Sequence, residues 1–193
     1  MANVAILELN RNCANTVEEI VKLERKIFPK HESLASFFHD ELRKKNSGLL
    51  YLHVDGELAG YVMYSWPSSL YASITKLAGS NPTSALIDNY DFGNIAGIES
   101  SSTFGYWQYG FTHFGLSVKE QYRGQGHGET LLKAAVEKCR TRKVSRIMLH
   151  VDPLRTPAVN LYKKYGFLVD TLIQGYYSSD RNAYRMYLDF DSS

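Results

Sequence analysis

The stretch VKEQYRGQGHGETLLKAAVEKC, Val118 to Cys139, constrains this chain most, because it sets Gly124, Gly126 and Gly128 at alternate positions directly ahead of a run of helix formers. A helix start leaves its first backbone N–H groups without partners and carries about half a positive charge. Glycine lets such groups turn toward a ligand with no Cβ in the way, so the spacing points to an anion-binding bend. Arg123 adds a charged, planar donor fork beside it. The bend is not the nucleotide P-loop, which needs Lys and Ser/Thr after its glycine, and it is not G-x-G-x-x-G. Taken alone, G-x-G-x-G is equally a turn that merely opens a helix.

The hydrophobic period around the bend changes along the chain. VAILEL reads as a strand, and TVEEIVKLERKIF as a helix with Thr16 as N-cap and Glu19 at the capping-box position. Pro29 ends it, and SLASFFHDELRKK starts a second helix near Ser33. GLLYLHV and ELAGYVMYSW flank Asp55-Gly56 as a β-hairpin, and SLYASITKLA follows as a third antiparallel strand. After the bend come a helix over about 128–142, a strand SRIMLHV, a helix over about 156–164, and the strand pair GFLVDTLIQGYY and AYRMYLDF. This order predicts an α/β (α+β) fold with one mixed sheet covered by helices. A length of 193 residues favours a single domain over 1–193.

One stretch breaks the pattern. Residues 79–117 carry six glycines, three acidic residues and no Lys or Arg, with little helical period, and read as an inserted excursion. Lys plus Arg total 22 against 20 for Asp plus Glu, and this balance argues against a dedicated nucleic-acid or polybasic membrane binder. The basic run KCRTRK, Lys138 to Lys143, reads first as a solvated helix terminus and second as a ribosome or auxiliary-subunit contact. Cys13 and Cys139 have neither CxxC spacing nor histidine partners, so the expectation is reduced thiols, no metal and a cytoplasmic protein. No run approaches the roughly 18 apolar residues of a membrane span.

LSVKEQYRGQGHGETLL, followed by IMLHVDPLRTPAVNLYKKYGF, resembles the GNAT superfamily of acyl-CoA N-acyltransferases, in particular its ribosomal-protein and protein N-terminal acetyltransferase subgroup. The match is a strand, a Q/R-x-x-G-x-G/A loop written Gln121 to Gly126, a helix, a strand, and a helix ending L-Y-x-x-x-G-F at Leu161 to Phe167. The resemblance covers about residues 4–78 and 112–190. It implies a mostly antiparallel twisted sheet, flanked by about four helices, in which the fourth and fifth strands splay apart around acetyl-CoA. The pyrophosphate is then expected on Arg123, Gly124, Gln125, Gly126, His127 and Gly128, and the pantetheine arm and acetyl carbonyl on Leu116, Ser117 and Val118. The side chain of His127 is expected at the surface. The family's tyrosine falls on Tyr162, as the acid that protonates departing CoA. Where many relatives carry asparagine, this chain has Arg155.

Acetyl transfer needs a neutral amine, and a base of near-neutral pKa helps to supply it; histidine suits that range. His150 in IMLHV matches a histidine that some protein N-terminal acetyltransferases use as base. KIFPKH resembles the loop lining one side of that subgroup's peptide groove, which makes Phe28 and Pro29 contacts. GYYSSDRNAYRMYL resembles the hairpin on the other side, with Tyr176 and Tyr177 holding the first peptide units. The expected function is acetyl transfer from acetyl-CoA to a protein N-terminal amine by direct attack in a ternary complex. A lysine or small-amine acceptor competes with it, as does an acyl-CoA-binding or partner-binding protein whose acetyl-binding strand the insertion interrupts. SITKLA and FTHFGLSV both qualify as that strand.

Overall fold

The computed structural model describes residues 2–9, 13–27, 33, 35, 38–66, 71–73 and 116–190. Phe28, Pro29 and residues 74–115 lie outside the described residues. The elements are β1 (Val4–Glu8), α1 (Ala14–Ile27), α2 (Phe38–Arg43), β2 (Ser47–Val54), β3 (Glu57–Ser65), β4 (Tyr71–Ser73), β5 (Leu116–Val118), α3 (His127–Thr141), β6 (Arg146–Val151), α4 (Thr156–Lys164), β7 (Leu168–Ser178) and β8 (Arg181–Asp189). Among the described residues the strands form one sheet in the order β1-β2-β3-β4-β6-β8-β7, with β5 also on β3. All its pairings are antiparallel except β4 with β6.

The hairpin turn falls where the Asp-Gly pair places it: Asp55 and Gly56 both have positive φ, the geometry that matches the twist of the flanking strands. The first helix differs from expectation. It begins at Ala14, with the Val17 amide donating to the Cys13 carbonyl, so Thr16 lies within the first turn and does not cap it. Alanine, a strong helix former, extends the helix one turn upstream of the capping-box signal. The described part of the second helix is Phe38–Arg43, although Ser33 does accept from the Ala35 amide.

The sheet has a core on each face. Leu52, Val62, Leu131, Leu132, Ile147, Leu149 and Tyr162 pack on the α3 and α4 side. Ile20, Val21, Phe38, Leu49, Tyr61 and Met63 pack on the α1 and α2 side, where the Tyr61 hydroxyl donates to the buried Glu24 carboxylate. Strand alternation follows: in β6, Ile147, Leu149 and Val151 are buried toward α3 and α4, so Met148 and His150 face the other way.

The pairing of β3 positions everything else. Its Ser65 faces Ser73 of β4, and three residues earlier Val62 faces Leu116 of β5. An unbroken strand would bring residue 76 to that place, so the strand line beside β3 is continued by residues forty positions later in the sequence. The strand entering the glycine bend is therefore Leu116–Val118, which puts Leu116 and Ser117, the last two residues of the excursion read from sequence, in the sheet. Gly60 lets β5 come close: a Cβ there would lie 2.3 Å from the Ser117 carbonyl oxygen. β4 also pairs with β6, as far as Ser73 opposite Met148, whereas β5 pairs with β3 alone. The two parallel lines part at that point, and a cleft opens beyond it.

Candidate active site

The cleft has a volume of about 440 Å³ and is lined by β5, the glycine bend, the start of α3 and one face of α4. Gly124 (φ +73) and Gly126 (φ +84) hold left-handed backbone that a Cβ would strain. They swing the chain so that α3 begins at His127 with no side chain capping it, which leaves its first amides available at the cleft. Thr130 does not compete, since its amide and hydroxyl both bond the Gly126 carbonyl at 3.0 Å. At Gly128 a Cβ would make ordinary van der Waals contact, 3.9 Å from the Leu116, Val118 and Leu161 side chains that line the cleft.

Of the residues expected to hold the cofactor, Leu116, Ser117, Val118, Arg123, Gly124, Gly126, His127 and Gly128 line this cleft. Gln125 does not, and its side chain donates back to the Gln121 carbonyl. The Arg123 guanidinium is tethered through Nε to the Val118 carbonyl at 3.2 Å. His127 departs from expectation: its side chain is buried, 8% exposed, edge-on to Tyr122, because the left-handed turn at Gly126 directs the first helical residue inward. Its Nε2 and the Ser117 hydroxyl are both buried without a hydrogen-bond partner among the described residues. Ile27, Tyr122, Arg155, Pro157, Ala158 and Leu161 complete the lining. Ala158 and Leu161 lie one turn apart on α4, a spacing legible in A-x-x-L-Y, whereas no local signal marks Ile27.

His150, Tyr162, Tyr176 and Tyr177 are not among the lining residues. His150 lies just past the parting of the strands and stacks on Tyr176, centroids 4.7 Å apart and planes at 14°. Tyr176 meets Tyr177 edge-on at 4.8 Å. Burial pushes the His150 imidazole down to about 4, with the Arg185 charge across the ladder acting in the same direction. Its Nδ1 has no hydrogen-bond partner among the described residues. Burial pushes the Tyr176 phenol up to about 12, and it holds those of Tyr162 and Tyr177 higher still. Tyr162 is fully buried on α4, edge-on to Phe167, and its hydroxyl too lacks a hydrogen-bond partner among the described residues. Asp152, two residues beyond His150 and 5% exposed, accepts from Arg181 Nε and Nη2 at 3.1 and 2.9 Å.

The Acetyltransferase (GNAT) family model matches residues 15–167. The chain belongs to the GNAT acetyltransferase family. Its chemistry is accordingly that of an N-acetyltransferase. A relative from Bacillus subtilis, named as a candidate ribosomal protein bS18-alanine N-acetyltransferase, is 26% identical over 164 residues, covering 85% of this chain and 82% of its own. An N-alpha-acetyltransferase from Sulfurisphaera tokodaii is 27% identical over 173 residues, covering 88% and 85%. The ribosomal-protein-S18-alanine N-acetyltransferase from Escherichia coli shares the fold, with a TM-score of 0.68 at 17% identity over 99% of this chain and 96% of that one. In this GNAT chain the parting of the β4–β5 line from β6 is the family's splayed strand pair, with the first strand of the pair made in two pieces.

The basic run at the end of α3 is largely engaged within the fold. Lys138 pairs with Glu8 at 2.6 Å, and the Arg140 and Arg142 guanidinium groups lie over the Phe190 and Trp66 rings. Among the described residues no group of three or more His, Cys, Asp or Glu converges as metal ligands would, and no helix is long and apolar enough to cross a membrane.

Proposed function

We propose that this chain moves the acetyl group of acetyl-CoA to the free α-amine of a protein or peptide N-terminus, by direct attack in a ternary complex. The observation that carries the reading is a half-buried His150, kept neutral beside paired tyrosines, just past the point where the strands part. The cleft on the other side suits the donor. Uncapped α3 amides, with Arg123 beside them, would hold the pyrophosphate. The free edge of β5 offers Leu116 to Val118 backbone groups to the pantetheine arm and the acetyl carbonyl.

The amine nitrogen attacks the thioester carbonyl carbon, the C–S bond breaks, and nitrogen gives up a proton to His150. Sulfur gains one from the Tyr162 hydroxyl as CoA leaves, and the proton held on His150 replaces it by way of solvent, so no proton is consumed overall. Tyr162, held protonated by burial, donates a hydrogen bond to the departing sulfur. The amine's own proton affinity favours an α-amine acceptor, whatever the base. From a lysine ammonium, proton transfer to an imidazole near 4 is uphill by on the order of 9 kcal/mol, and from an α-ammonium by about 5. An α-amine is also substantially neutral at pH 7 to 8, so it needs less from a base that burial holds well below the near-neutral range expected from the sequence. The names of the Bacillus and Sulfurisphaera relatives support the same class of acceptor.

The test offers the purified chain and acetyl-CoA to three acceptors: a lysine-free peptide with a free N-terminus, an N-blocked peptide carrying one lysine, and a free polyamine. Mass spectrometry is expected to find transfer to the first. Equal rates on the blocked lysine peptide or the polyamine would overturn the reading.

A further inference from the structure

We propose that Asp152 and Arg181 form a clamp that holds Tyr176 and Tyr177 against His150, and so act as positioning residues for the acceptor side of the reaction proposed above, on which this inference rests. The need for a clamp follows from the β7–β8 ladder. Pairing is maintained to Ile173 opposite Ala183, shifts register, and resumes only at Ser178 opposite Arg181. The two tyrosines fall in the gap. There Gly175 takes a positive φ, and its amide donates to the Asn182 side chain. Backbone pairing alone therefore does not fix where these rings stand.

Side chains close the gap in a ring that starts and ends on β6. Asp152 follows His150 by two residues and accepts two bonds from the Arg181 guanidinium. Its other oxygen accepts from the Leu154 amide at 2.9 Å, so the carboxylate cannot swing. The guanidinium lies 5.4 Å over the Tyr177 ring, Tyr177 abuts Tyr176, and Tyr176 stacks on His150. With side-chain exposures of 28% and 6%, this ion pair is more shielded from water than Arg146–Asp189 at 42% and 51% or Arg185–Asp170 at 29% and 41%. A shielded pair with fixed geometry transmits position, where exposed pairs contribute little.

The readout is His150 itself, since the stacked Tyr176 is part of what buries it. From β8 it faces Arg185, itself paired to Asp170 of β7, and from β7 it faces Tyr176. Arg181→Ala and Asp152→Asn are made in the full chain, with Asp189→Asn as a control on the exposed pair of the same strands. His150 is then titrated by NMR, and steady-state kinetics are run with a peptide acceptor. In both clamp variants the His150 midpoint is expected to rise by about one unit or more toward the ordinary 6.5. KM for the peptide rises about tenfold while KM for acetyl-CoA stays put, and the control changes neither. If Arg181→Ala does not fold, Arg181→Lys keeps the charge without the fork and is expected to shift both readouts in the same sense by less. An unchanged His150 midpoint in folded clamp variants overturns the proposal, and so does an equal rise in both KM values. A shifted midpoint in a chain that never acetylates N-termini supports the clamp and overturns the proposed reaction instead.

Discussion

At the bend end of the cleft the polar groups are backbone amides at the start of α3, exposed by two left-handed glycines, whereas at the His150 end they are side chains held by other side chains. The first arrangement is local, contained between Val118 and Thr130. The second draws on β6, β7 and the start of β8 at once, and exists only when the sheet has closed. A site made of backbone conformation tolerates changes of side chain but not the addition of a Cβ at its glycines. A site made of stacked and paired side chains tolerates backbone variation nearby and fails when one member of the stack is removed. The two ends should therefore break separately.

The largest effect is expected at the side-chain end. In the proposed reaction His150→Ala removes the proton acceptor, and kcat on an N-terminal peptide falls by roughly 10² to 10⁴, the usual range for a general base. Binding of acetyl-CoA, followed by calorimetry, stays near its original value because His150 does not line the cleft. A matching loss of acetyl-CoA affinity would mean that the two ends are one unit. Gly126→Val is the reciprocal change. A β-branched residue at φ +84 is strained by about 1–3 kcal/mol and tilts the α3 amides, so acetyl-CoA affinity is expected to fall about a hundredfold. The His150 NMR midpoint should remain low. Should it rise as well, the bend supports the acceptor side in a way that the separation of the elements does not suggest.

The same contrast governs what could be read from the residues alone. The spacing of Gly124, Gly126 and Gly128 before a helix marked the bend, because a left-handed turn has a composition of its own. The Asp55-Gly56 hairpin and the bounds of α4 were legible for the same local reason. Thr16 misled, since a capping pattern says where a helix can start and not whether a better former upstream extends it. The inward turn of His127 was missed: exposure depends on the direction in which Gly126 launches the helix. Asp152 and Arg181 gave no signal, being 29 residues apart and joined only through the register of β6, β8 and β7. Similarly, nothing local distinguished SITKLA from FTHFGLSV as the strand before the bend. Pairing with β3 decides it, and Gly60, which lets the Ser117 carbonyl approach, is on another strand.

The smallest expected effect separates the two ends by pH. His150 titrates near 4 in the folded chain and near 6.5 when unfolded, so between these values the unfolded state binds more protons. The sign is fixed by that inequality: stability is fully present above about pH 6.5 and is lost as pH falls through the window toward 4. From pH 7 to pH 5 the loss is about 2 kcal/mol for this one group. Chemical denaturation at the two pH values would measure it, and His150→Gln, which keeps a polar side chain but does not titrate, should remove most of that slope. Gly126→Val should leave the slope intact while lowering stability at both pH values, because it leaves the stack of Tyr176 on His150 in place. A slope that survives His150→Gln would assign the acid sensitivity to other groups, and it would remove the ground for treating the imidazole as a base kept weak by its stack.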